Sequence, residues 1–443
     1  MTALRLDVRV VPPTEPAAQH ARDGSALLIG GDRVGAEKLY REAAAMPVAQ
    51  GSGWTNLAAL GIALGDPQAA RAHALRALRL DRANADAWVN LGVASWNLDM
   101  RRDGAQSTHR ALELAPGMEA AAWNLKLMFQ AAGQLQRARA MLAKALARNP
   151  RSARLQESMA DVCRLLGDAQ AARSHALAAL PALLPALAPH PSSVAPLDGR
   201  DAGEQRDRLH AALSDACARL QRAGLAHVVI GGLVLGIARE GEPFAADKDI
   251  DIALDDGVDR DAVAAAFAAG FTPVRVPAAL AQDARRWCMG YTHDETGIGI
   301  GLFFMQRGET AIRRGLGWPD QLFYDYPRFD AGTLAWRGRD WPVPAPLETY
   351  LASNYGEDWR TPRRDAGDGR SFDKRWFDTR ISCPGLAPES LPRAVSLVLL
   401  RLLATLRLGR WEKALALCDQ LLAREPLAEV EAVRQRLLAA GIG

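Results

Sequence analysis

Three aspartates near the middle of the chain have the spacing of a metal site. Asp247, Asp249 and Asp251 lie two residues apart at the start of a predicted strand, residues 248–254. Alternate residues of a strand project from one face, so Asp249 and Asp251 point together. Two such carboxylates repel each other unless a cation separates them. Mg²⁺ or Mn²⁺ suits these oxygen ligands and also binds phosphates, which favours a metal-dependent phosphate site.

A pair of glycines precedes the aspartates. Gly231 and Gly232 follow a short apolar strand, residues 227–230, and open a predicted helix, residues 233–240. Backbone N–H groups at such a turn can face a phosphate without side chains in the way. A lone glycine pair or a lone Asp-x-Asp is usually a turn or a solvated strand end. The combination of strand, glycine pair, helix and aspartates favours the functional interpretation.

This combination resembles the core of the LicD/fukutin family of phosphotransferases, which have a nucleotidyltransferase-like fold. The family's first block is matched by Gly231, Gly232, Leu235, Gly236, Arg239 and Gly241, followed by Asp247, Asp249 and Asp251. Its second block, Pro-x-Pro followed by Leu-x-x-x-Tyr-Gly-x-x-Trp, is matched by Pro342, Pro344, Leu351, Tyr355, Gly356 and Trp359. The resemblance covers about residues 206 to 365.

The resemblance implies transfer of a substituted phosphate, of the phosphocholine or polyol-phosphate type, from a CDP-linked donor. The acceptor would be a hydroxyl of a glycan or of a protein-linked group. Asp249 and Asp251 would hold Mg²⁺ or Mn²⁺, which neutralises the donor's diphosphate. Asp247 would complete the metal shell or act as the base for the acceptor hydroxyl.

Other residues of the two blocks are candidates for binding the nucleotide donor. The glycines Gly231 and Gly232 would contact its phosphates, and Arg239 would add a forked contact to a phosphate oxygen. The alternative for Arg239 is an ion pair with a local acid such as Glu242. Tyr355 and Trp359 would stack on the base or line the acceptor site, or they pack in the core as large aromatics usually do.

The chain departs from the family pattern at two positions. Ala246 replaces a tryptophan before the first aspartate, and Gly301 stands in a further strand where an acidic residue is expected. Asp294 or Glu295 is a possible substitute ligand. The departure at Gly301 keeps a second alternative open, in which the domain has the fold of this family but does not catalyse phosphate transfer.

A 34-residue repeat occupies the first part of the chain. The pair Asn-Leu recurs at Asn56, Asn90 and Asn124, and glycine recurs in a second slot. The residues in that second slot are Gly31, Gly65, Asp99, Gly133 and Gly167, with aspartate replacing one glycine. The pattern resembles the tetratricopeptide repeat, which implies about five helix–turn–helix units stacked side by side over residues 15–185.

The recurring asparagines are the candidate partner-binding residues of these repeats. Asn56, Asn90 and Asn124 should form a row along one face of the solenoid, because a solenoid repeats its geometry with its sequence. Each amide offers a donor and an acceptor and can grip the backbone of an extended peptide. The Trp-x-Asn-Leu motif, which begins at Trp54 and at Trp88, resembles the repeats that form the asparagine-lined superhelix of protein O-GlcNAc transferases. The alternative is that the amides cap or bridge neighbouring helices.

The composition narrows the function classes. The net charge is only +3, which gives no support for a general electrostatic grip on nucleic acid. Five scattered cysteines without Cys-x-x-Cys spacing are typical of a reducing compartment and argue against a disulfide framework. We find no stretch with the length and hydropathy of a signal peptide or a membrane span and expect a cytoplasmic protein.

The chain is long enough for several domains. We predict a multidomain protein: an all-α solenoid over 15–185, a linker over 186–205, an α/β (α+β) nucleotidyltransferase-like domain over 206–385, and a helical repeat-like region over 386–443. In that last region, Gly409 and Ala414 have the same offset as Gly65 and Ala70 of the repeats.

Three functional hypotheses follow. The first is a LicD-like phosphotransferase whose repeats recruit a protein partner or substrate. The second is a nucleotidyltransferase of another substrate class, which would use the same aspartates. The third is a non-catalytic repeat-based adaptor with a degenerate second domain, which Gly301 favours.

Overall fold

The computed structural model describes residues 4–184, 202–244, 247–274, 276, 285–317, 320–361 and 379–442. The chain divides into two compact units, Met1–Leu166 and Gly167–Gly443. An extended segment, residues 4–13, precedes the helices of the first unit.

The first unit is built from antiparallel helix pairs of the tetratricopeptide type. Its helices are α1 (Pro16–Ile29), α2 (Arg33–Ala45), α3 (Gly51–Leu64), α4 (Pro67–Leu80), α5 (Ala85–Asn97), α6 (Arg101–Leu114), α7 (Glu119–Ala131), α8 (Leu135–Arg148) and α9 (Ala153–Leu165). Alanines that recur with the same 34-residue period are buried: Ala43, Ala77, Ala111 and Ala145 are at most 1% exposed. The helical repeat predicted from the 34-residue period is therefore present.

The second repeat slot is the turn between the two helices of a pair. Gly31, Gly65, Gly133 and Gly167 all have positive φ, between 68° and 90°. Asp99 takes the same left-handed conformation, with φ of 64°, in the slot where the sequence lacks a glycine. Asp is one of the few residues other than glycine that adopt this region at modest cost.

The second unit combines helices with a mixed sheet. Its helices are α10 (Ala169–Leu183), α11 (Ala202–Arg222), α12 (Gly232–Glu240), α13 (Arg260–Ala266), α14 (Leu347–Tyr355), α15 (Thr379–Ser382), α16 (Leu391–Arg407), α17 (Trp411–Leu422) and α18 (Ala428–Ala439). Its strands are β1 (His227–Ile230), β2 (Asp249–Asp255), β3 (Phe271–Pro273), β4 (Cys288–His293), β5 (Gly299–Arg307), β6 (Ala311–Leu316), β7 (Leu322–Pro327), β8 (Asp330–Trp336) and β9 (Arg339–Ala345).

Seven of these strands form one sheet in the order β1-β2-β5-β4-β3, with β6 paired to the far end of β5 and β7 paired to β6. Among the described strands of this sheet, β2 and β5 pair in parallel and the other pairs are antiparallel. Strands β8 and β9 form a separate hairpin. The order places β2 and β5, which carry the aspartates and Gly301, side by side in the middle of the sheet. The mixed sheet agrees with the α/β expectation; the nucleotidyltransferase-like fold stays a prediction.

The C-terminal helices pack against α10, although the whole sheet separates them in sequence. Helix α16 lies along α10, and Arg173 of α10 forms an ion pair with Glu425 at 2.9 Å. Gly409, between α16 and α17, has φ of 64°, so this pair uses the same turn as the N-terminal repeats. The sheet region is therefore inserted between helices that pack together.

The contacts within the chain divide it between Leu166 and Gly167, and α10 packs with the C-terminal helices, whereas the predicted solenoid extends to residue 185; the predicted domain bounds stay a prediction. Helix α11 begins at Ala202, inside the predicted linker, while most of that linker lies outside the described residues. The predicted strand over 248–254 is observed as Asp249–Asp255.

Candidate functional site

The asparagine row holds an extended segment of the chain's own N-terminus. Asn124 Oδ1 accepts from the Asp7 N–H at 2.7 Å, and its Nδ2 donates to the Asp7 carbonyl at 2.8 Å. Asn90 makes the same two bonds to Arg9, at 2.7 and 2.9 Å. Asn56 makes them to Val11, at 2.8 and 3.0 Å. Successive repeats thus hold every second residue of one extended strand, in the manner of a β-bridge.

The amides are oriented by the preceding helices. Asn56 Nδ2 also donates to the Ala18 carbonyl at 3.1 Å, and Asn90 Nδ2 to the Thr55 carbonyl at 3.0 Å. All three row asparagines are fully buried. In Asn56 and Asn90, one N–H of the amide therefore bonds a neighbouring helix, and the remaining N–H and the oxygen bond the segment; binding of a partner by the row stays a prediction.

A second row lies four residues before the three asparagines and before Ser158, which takes the asparagine slot in the next repeat, and three of its four members contact side chains of residues 7–14. This row consists of Ser52, Asp86, Ala120 and Arg154, again 34 residues apart. Asp86 pairs with Arg9 and Arg154 with Asp7, both at 2.5 Å, and the hydroxyls of Ser52 and Thr14 are hydrogen-bonded. Residues four apart share a helix face, so Asp86 and Asn90 present a side-chain-binding and a backbone-binding position side by side, and Ser52 and Asn56 do the same.

The sequence analysis missed this second row. Its members differ in type, so no residue recurs with the period. The signal that could have found it is geometric, because positions four residues before the asparagines lie on the same helix face.

In the second unit, Asp251 lies against the glycine turn and beside Gly301. A Cβ at Gly231 would lie 2.6 Å from Asp251 Oδ2, and one at Gly301 would lie 3.0 Å from Asp251 Oδ1. Asp251 pairs with Gly301 across the parallel strands, and Asp249 with Gly299. The position where the family pattern expects an acidic side chain is therefore adjacent to Asp251.

The glycine turn is used differently from the sequence expectation. Gly231 has φ of 78° and ψ of −151°, a region that essentially only glycine adopts. Its N–H donates to the Tyr350 hydroxyl at 3.2 Å, within the protein. Burial raises the pKa of Tyr350 to about 12, so this phenol is neutral at physiological pH. Of the two glycines, Gly232 is the one that opens helix α12.

Arg314 of β6 is a second feature that the sequence analysis did not single out. Its guanidinium lies over the rings of Phe303, Tyr324 and Tyr326, with centroid distances of 5.3, 5.1 and 5.5 Å. Its buried Nε has no hydrogen-bond partner among the described residues. Burial acts to lower the pKa of Arg314, but the surrounding tyrosines and Asp251 raise it, so the group stays charged.

The other predicted binding residues are buried. Arg239 forms a two-contact ion pair with Glu240 at 2.6 and 2.9 Å and not with Glu242, which instead accepts from Trp336 at 3.0 Å. Tyr355 and Trp359 are 7% and 4% exposed, as the core alternative predicts. Burial, then Tyr350, Asp251 and Asp247, raise the pKa of Tyr355 well above its usual value, which places it near the aspartates.

The remaining predicted acidic residues are dispersed. Asp247 is 2% exposed, and its carbonyl accepts from Gln205 at 2.6 Å. Asp249 is exposed at the beginning of β2. Asp294 and Glu295 are exposed in the turn before β5, where Asp294 accepts from Thr272 at 2.7 Å. Across the described ranges, no three or more His, Cys, Asp and Glu side chains are grouped to hold a metal ion.

The five cysteines all lie in the described residues, and none of them forms a disulfide bond. In the described part, none of the helices combines the length and apolar character that crossing a membrane requires.

No protein-family model matches the chain. One curated relative is the human protein O-mannosyl-transferase TMTC3, 31% identical over 102 residues. The match covers 23% of this chain, which spans 11% of the length of that relative.

Solved structures with similar parts are helical. MamA has a TM-score of 0.30 at 21% identity, over 36% of this chain and 93% of that one. A thermophilic tetratricopeptide repeat protein of Thermus thermophilus has a TM-score of 0.32 at 17% identity, over 37% of this chain and 90% of that one. The helix pairs of the first unit themselves define the repeats.

Proposed function

We propose that the first unit is a peptide-binding module that holds an extended chain through Asn56, Asn90 and Asn124. The observation that supports this is the set of six backbone hydrogen bonds between these amides and residues 7, 9 and 11. Main-chain bonds supply affinity for any extended segment, as when a peptide adds to the edge of a sheet. Amides already fixed by a neighbouring helix lose little freedom on binding, which favours affinity.

The test is selection of ten-residue peptides from a random display library. The bait is the full chain, as wild type and as Arg9→Pro/Val11→Pro. The double variant weakens binding of the chain's own N-terminal segment, the resident segment, because proline has no N–H to donate. We expect enriched peptides, and we expect Asn90→Ala/Asn124→Ala in the same two backgrounds to lose them. Asn97→Ala is the matched control, because Asn97 is exposed at the end of the helix that carries Asn90.

Circular dichroism checks that each bait is folded, since removing a buried amide leaves its partners unsatisfied. Enrichment that the Asn90→Ala/Asn124→Ala baits retain would refute the peptide-binding role of the row. So would a lack of enrichment on both folded parent baits.

A second candidate function is the metal-dependent transfer of a substituted phosphate at the edge formed by β1, α12 and β2. Arg314 favours it: a charged guanidinium beside Asp251, with an Nε that no described residue satisfies, suits a phosphate oxygen. In the transfer, the acceptor oxygen would bond to phosphorus as the bond to the nucleotide phosphate breaks. The acceptor's proton would pass to a carboxylate, for which Asp247 is the candidate.

The residues present fit one mode of metal binding. Mg²⁺ commonly uses one or two carboxylates together with substrate phosphates and waters, and Asp249 and Asp251 supply two carboxylates on one strand face. They do not supply an all-protein cage, because glycine occupies position 301. Mg²⁺ or Mn²⁺ bound there would neutralise the donor's phosphates and stabilise the leaving group. Asp249 and Asp251 would hold it.

Calorimetry tests this candidate. CDP, CTP, UDP and ADP are titrated with and without Mg²⁺ or Mn²⁺ into wild type, Asp249→Ala/Asp251→Ala and Arg314→Met. We expect metal-dependent binding of a cytidine nucleotide that both variants lose. Asp255→Ala, at the other end of β2, and Arg313→Met, which replaces an arginine paired with Asp325 and Glu389, should bind as wild type does.

Each alternative has its own outcome. Metal-dependent preference for a triphosphate of another base would favour a nucleotidyltransferase of another class. No binding of any nucleotide would refute phosphate transfer and favour a repeat-based adaptor with a non-catalytic second domain.

A further inference from the structure

We propose that the groove lined by Asn56, Asn90 and Asn124 and by the row of Ser52, Asp86, Ala120 and Arg154 binds extended polypeptides in which an acidic residue is followed two positions later by a basic residue. Residues 4–13 are a tethered competitor for these polypeptides. The inference rests on the peptide-binding function proposed above. It adds a sequence preference and a competing segment within the chain, neither of which follows from the asparagine row alone.

The charge preference comes from the row Ser52, Asp86, Ala120 and Arg154. Asp86 carries a negative charge beside the position held by Asn90, and Arg154 carries a positive charge beside the position held by Asn124. Both side chains are about a quarter exposed, at 26%, so water screens them only in part. A peptide of reversed order would place like charges together at both positions, which opposes binding.

The resident segment satisfies this preference. Asp7 meets Arg154 and Arg9 meets Asp86, while the same two residues are held by Asn124 and Asn90 through their backbones. The segment runs from α7 towards α3. It then enters α1 through Glu15, whose carboxylate accepts from the N–H groups of Ala49, Gln50 and Gly53 at the start of α3.

The tether makes the segment a competitor. A segment joined to its site by a short connection has an effective concentration of about millimolar order. A partner in solution must therefore bind tightly or be abundant to displace it. Release is possible locally, because the segment forms no helix or sheet and only alternate residues are held: Val8 and Val10 donate no backbone hydrogen bond among those the structure describes.

The first experiment measures binding in trans of a labelled peptide with the sequence of residues 4–13, by fluorescence polarisation. Full-length wild type is compared with Arg9→Pro/Val11→Pro, which removes two N–H groups bonded to asparagines. The matched control is Val8→Pro/Val10→Pro, which places two prolines where neither N–H is bonded. We expect the first variant to bind the peptide about tenfold or more tightly than wild type, and the control to bind as wild type does.

The second experiment tests the charge order. A peptide with Asp7→Arg/Arg9→Asp should bind Arg9→Pro/Val11→Pro about tenfold more weakly than the native peptide. Adding Asp86→Arg/Arg154→Asp to that protein should reverse the preference. This rescue separates recognition of charge from loss of folding.

The outcomes distinguish this inference from the proposed function. Equal, asparagine-dependent binding of both peptides would overturn the charge preference and leave the peptide-binding function intact. Equal binding by wild type and Arg9→Pro/Val11→Pro would overturn the competition. Absence of peptide binding by a folded Arg9→Pro/Val11→Pro protein would count against the inference, and the library selection then decides on the peptide-binding function.

Discussion

Gly231 illustrates how one residue constrains the candidate phosphate site. It turns the chain between β1 and α12 in a conformation closed to other residues, and its lack of a Cβ lets Asp251 approach the backbone. The sequence identified this glycine through the N–H groups of the turn. Its N–H instead bonds Tyr350, so its structural role lies in the space that it leaves.

Replacing Gly231 with alanine should therefore cost more than replacing Gly241. Gly241 has almost the same φ, 77°, but a Cβ there would meet nothing within 4 Å. We expect Gly241→Ala to lower the free energy of unfolding by about 1–2 kcal/mol, the cost of a left-handed residue. Gly231→Ala adds the clash with Asp251, so we expect a loss of about 3 kcal/mol or more. Urea denaturation of the two variants measures the difference, and equal losses would show that the close approach is unimportant.

The two rows of the groove show what periodicity can reveal about single residues. Asn, Gly and Ala recur with the 34-residue period because the stacking of helices needs the same residue in every repeat. Positions that contact the side chains of a bound chain vary with that chain, whereas positions that bond its backbone do not, so Asp86 and Arg154 leave no periodic signal although the asparagines do. The period therefore drew attention to the asparagine row and not to the row of Asp86 and Arg154.

At the scale of single elements, helix α4 carries a histidine enclosed by neighbouring helices. His73 stacks on Trp54 at 5.4 Å, and its Nε2 lies 3.2 Å from the Tyr40 hydroxyl. Burial, then Arg76, lower the pKa of His73 below 6.5, and Asp66 opposes this only in part. The folded protein thus favours the neutral imidazole.

The pH dependence follows from that direction. When the folded-state pKa is lowered, the contribution to stability is complete above 6.5 and is lost as the pH falls from there towards the folded value. His73→Phe should reduce the loss of unfolding free energy between pH 7.5 and 5.5, as measured by urea denaturation. His109→Phe, which replaces a histidine with a side chain 55% exposed, is the matched control. The same pH dependence in wild type and His73→Phe would contradict the expectation.

Helices were predicted better than strands for a physical reason. A helix is specified by neighbours three and four residues apart, and the repeat multiplied that local signal. Strands β1, β2 and β5 were predicted from the sequence, whereas the sheet order depends on pairing between distant segments. Arg314 could not be connected with Asp251 from sequence, because the β5–β6–β7 pairing brings it over the Tyr324 ring and near Asp251.

At the scale of the molecule, the main feature is the packing of α10 on α16. The sequence predicts a domain boundary at 185 because a Pro-rich stretch typical of linkers begins there. Helix α10, which ends just before that stretch, packs with helices from the far end of the chain. Ser390 and Arg393 also fasten the start of α16 to the sheet, through the Phe323 N–H at 2.8 Å and the Gln321 carbonyl at 3.1 Å.

Weakening α16 should therefore loosen α10. Leu402 is fully buried in α16, and Leu402→Ala should cost about 2–5 kcal/mol through the cavity it leaves. We expect faster amide exchange in residues 169–183 by mass spectrometry. Leu408→Ala, which truncates a leucine 65% exposed at the end of the same helix, should leave that exchange unchanged. Unaltered exchange of residues 169–183 in a destabilised Leu402→Ala protein would show that α10 is independent of α16.

The insertion also has a consequence during synthesis. Ribosomes add about 5–20 residues per second. Roughly 200 residues separate the end of α10 from the start of α16. Synthesis of these residues delays the arrival of α16, the packing partner of α10, by roughly 10 to 40 s. Throughout that interval the nascent chain presents the apolar face of α10 without its cover, at the stage when the strands of the sheet are still emerging. Chaperone dependence in the cell should be greatest for this helix.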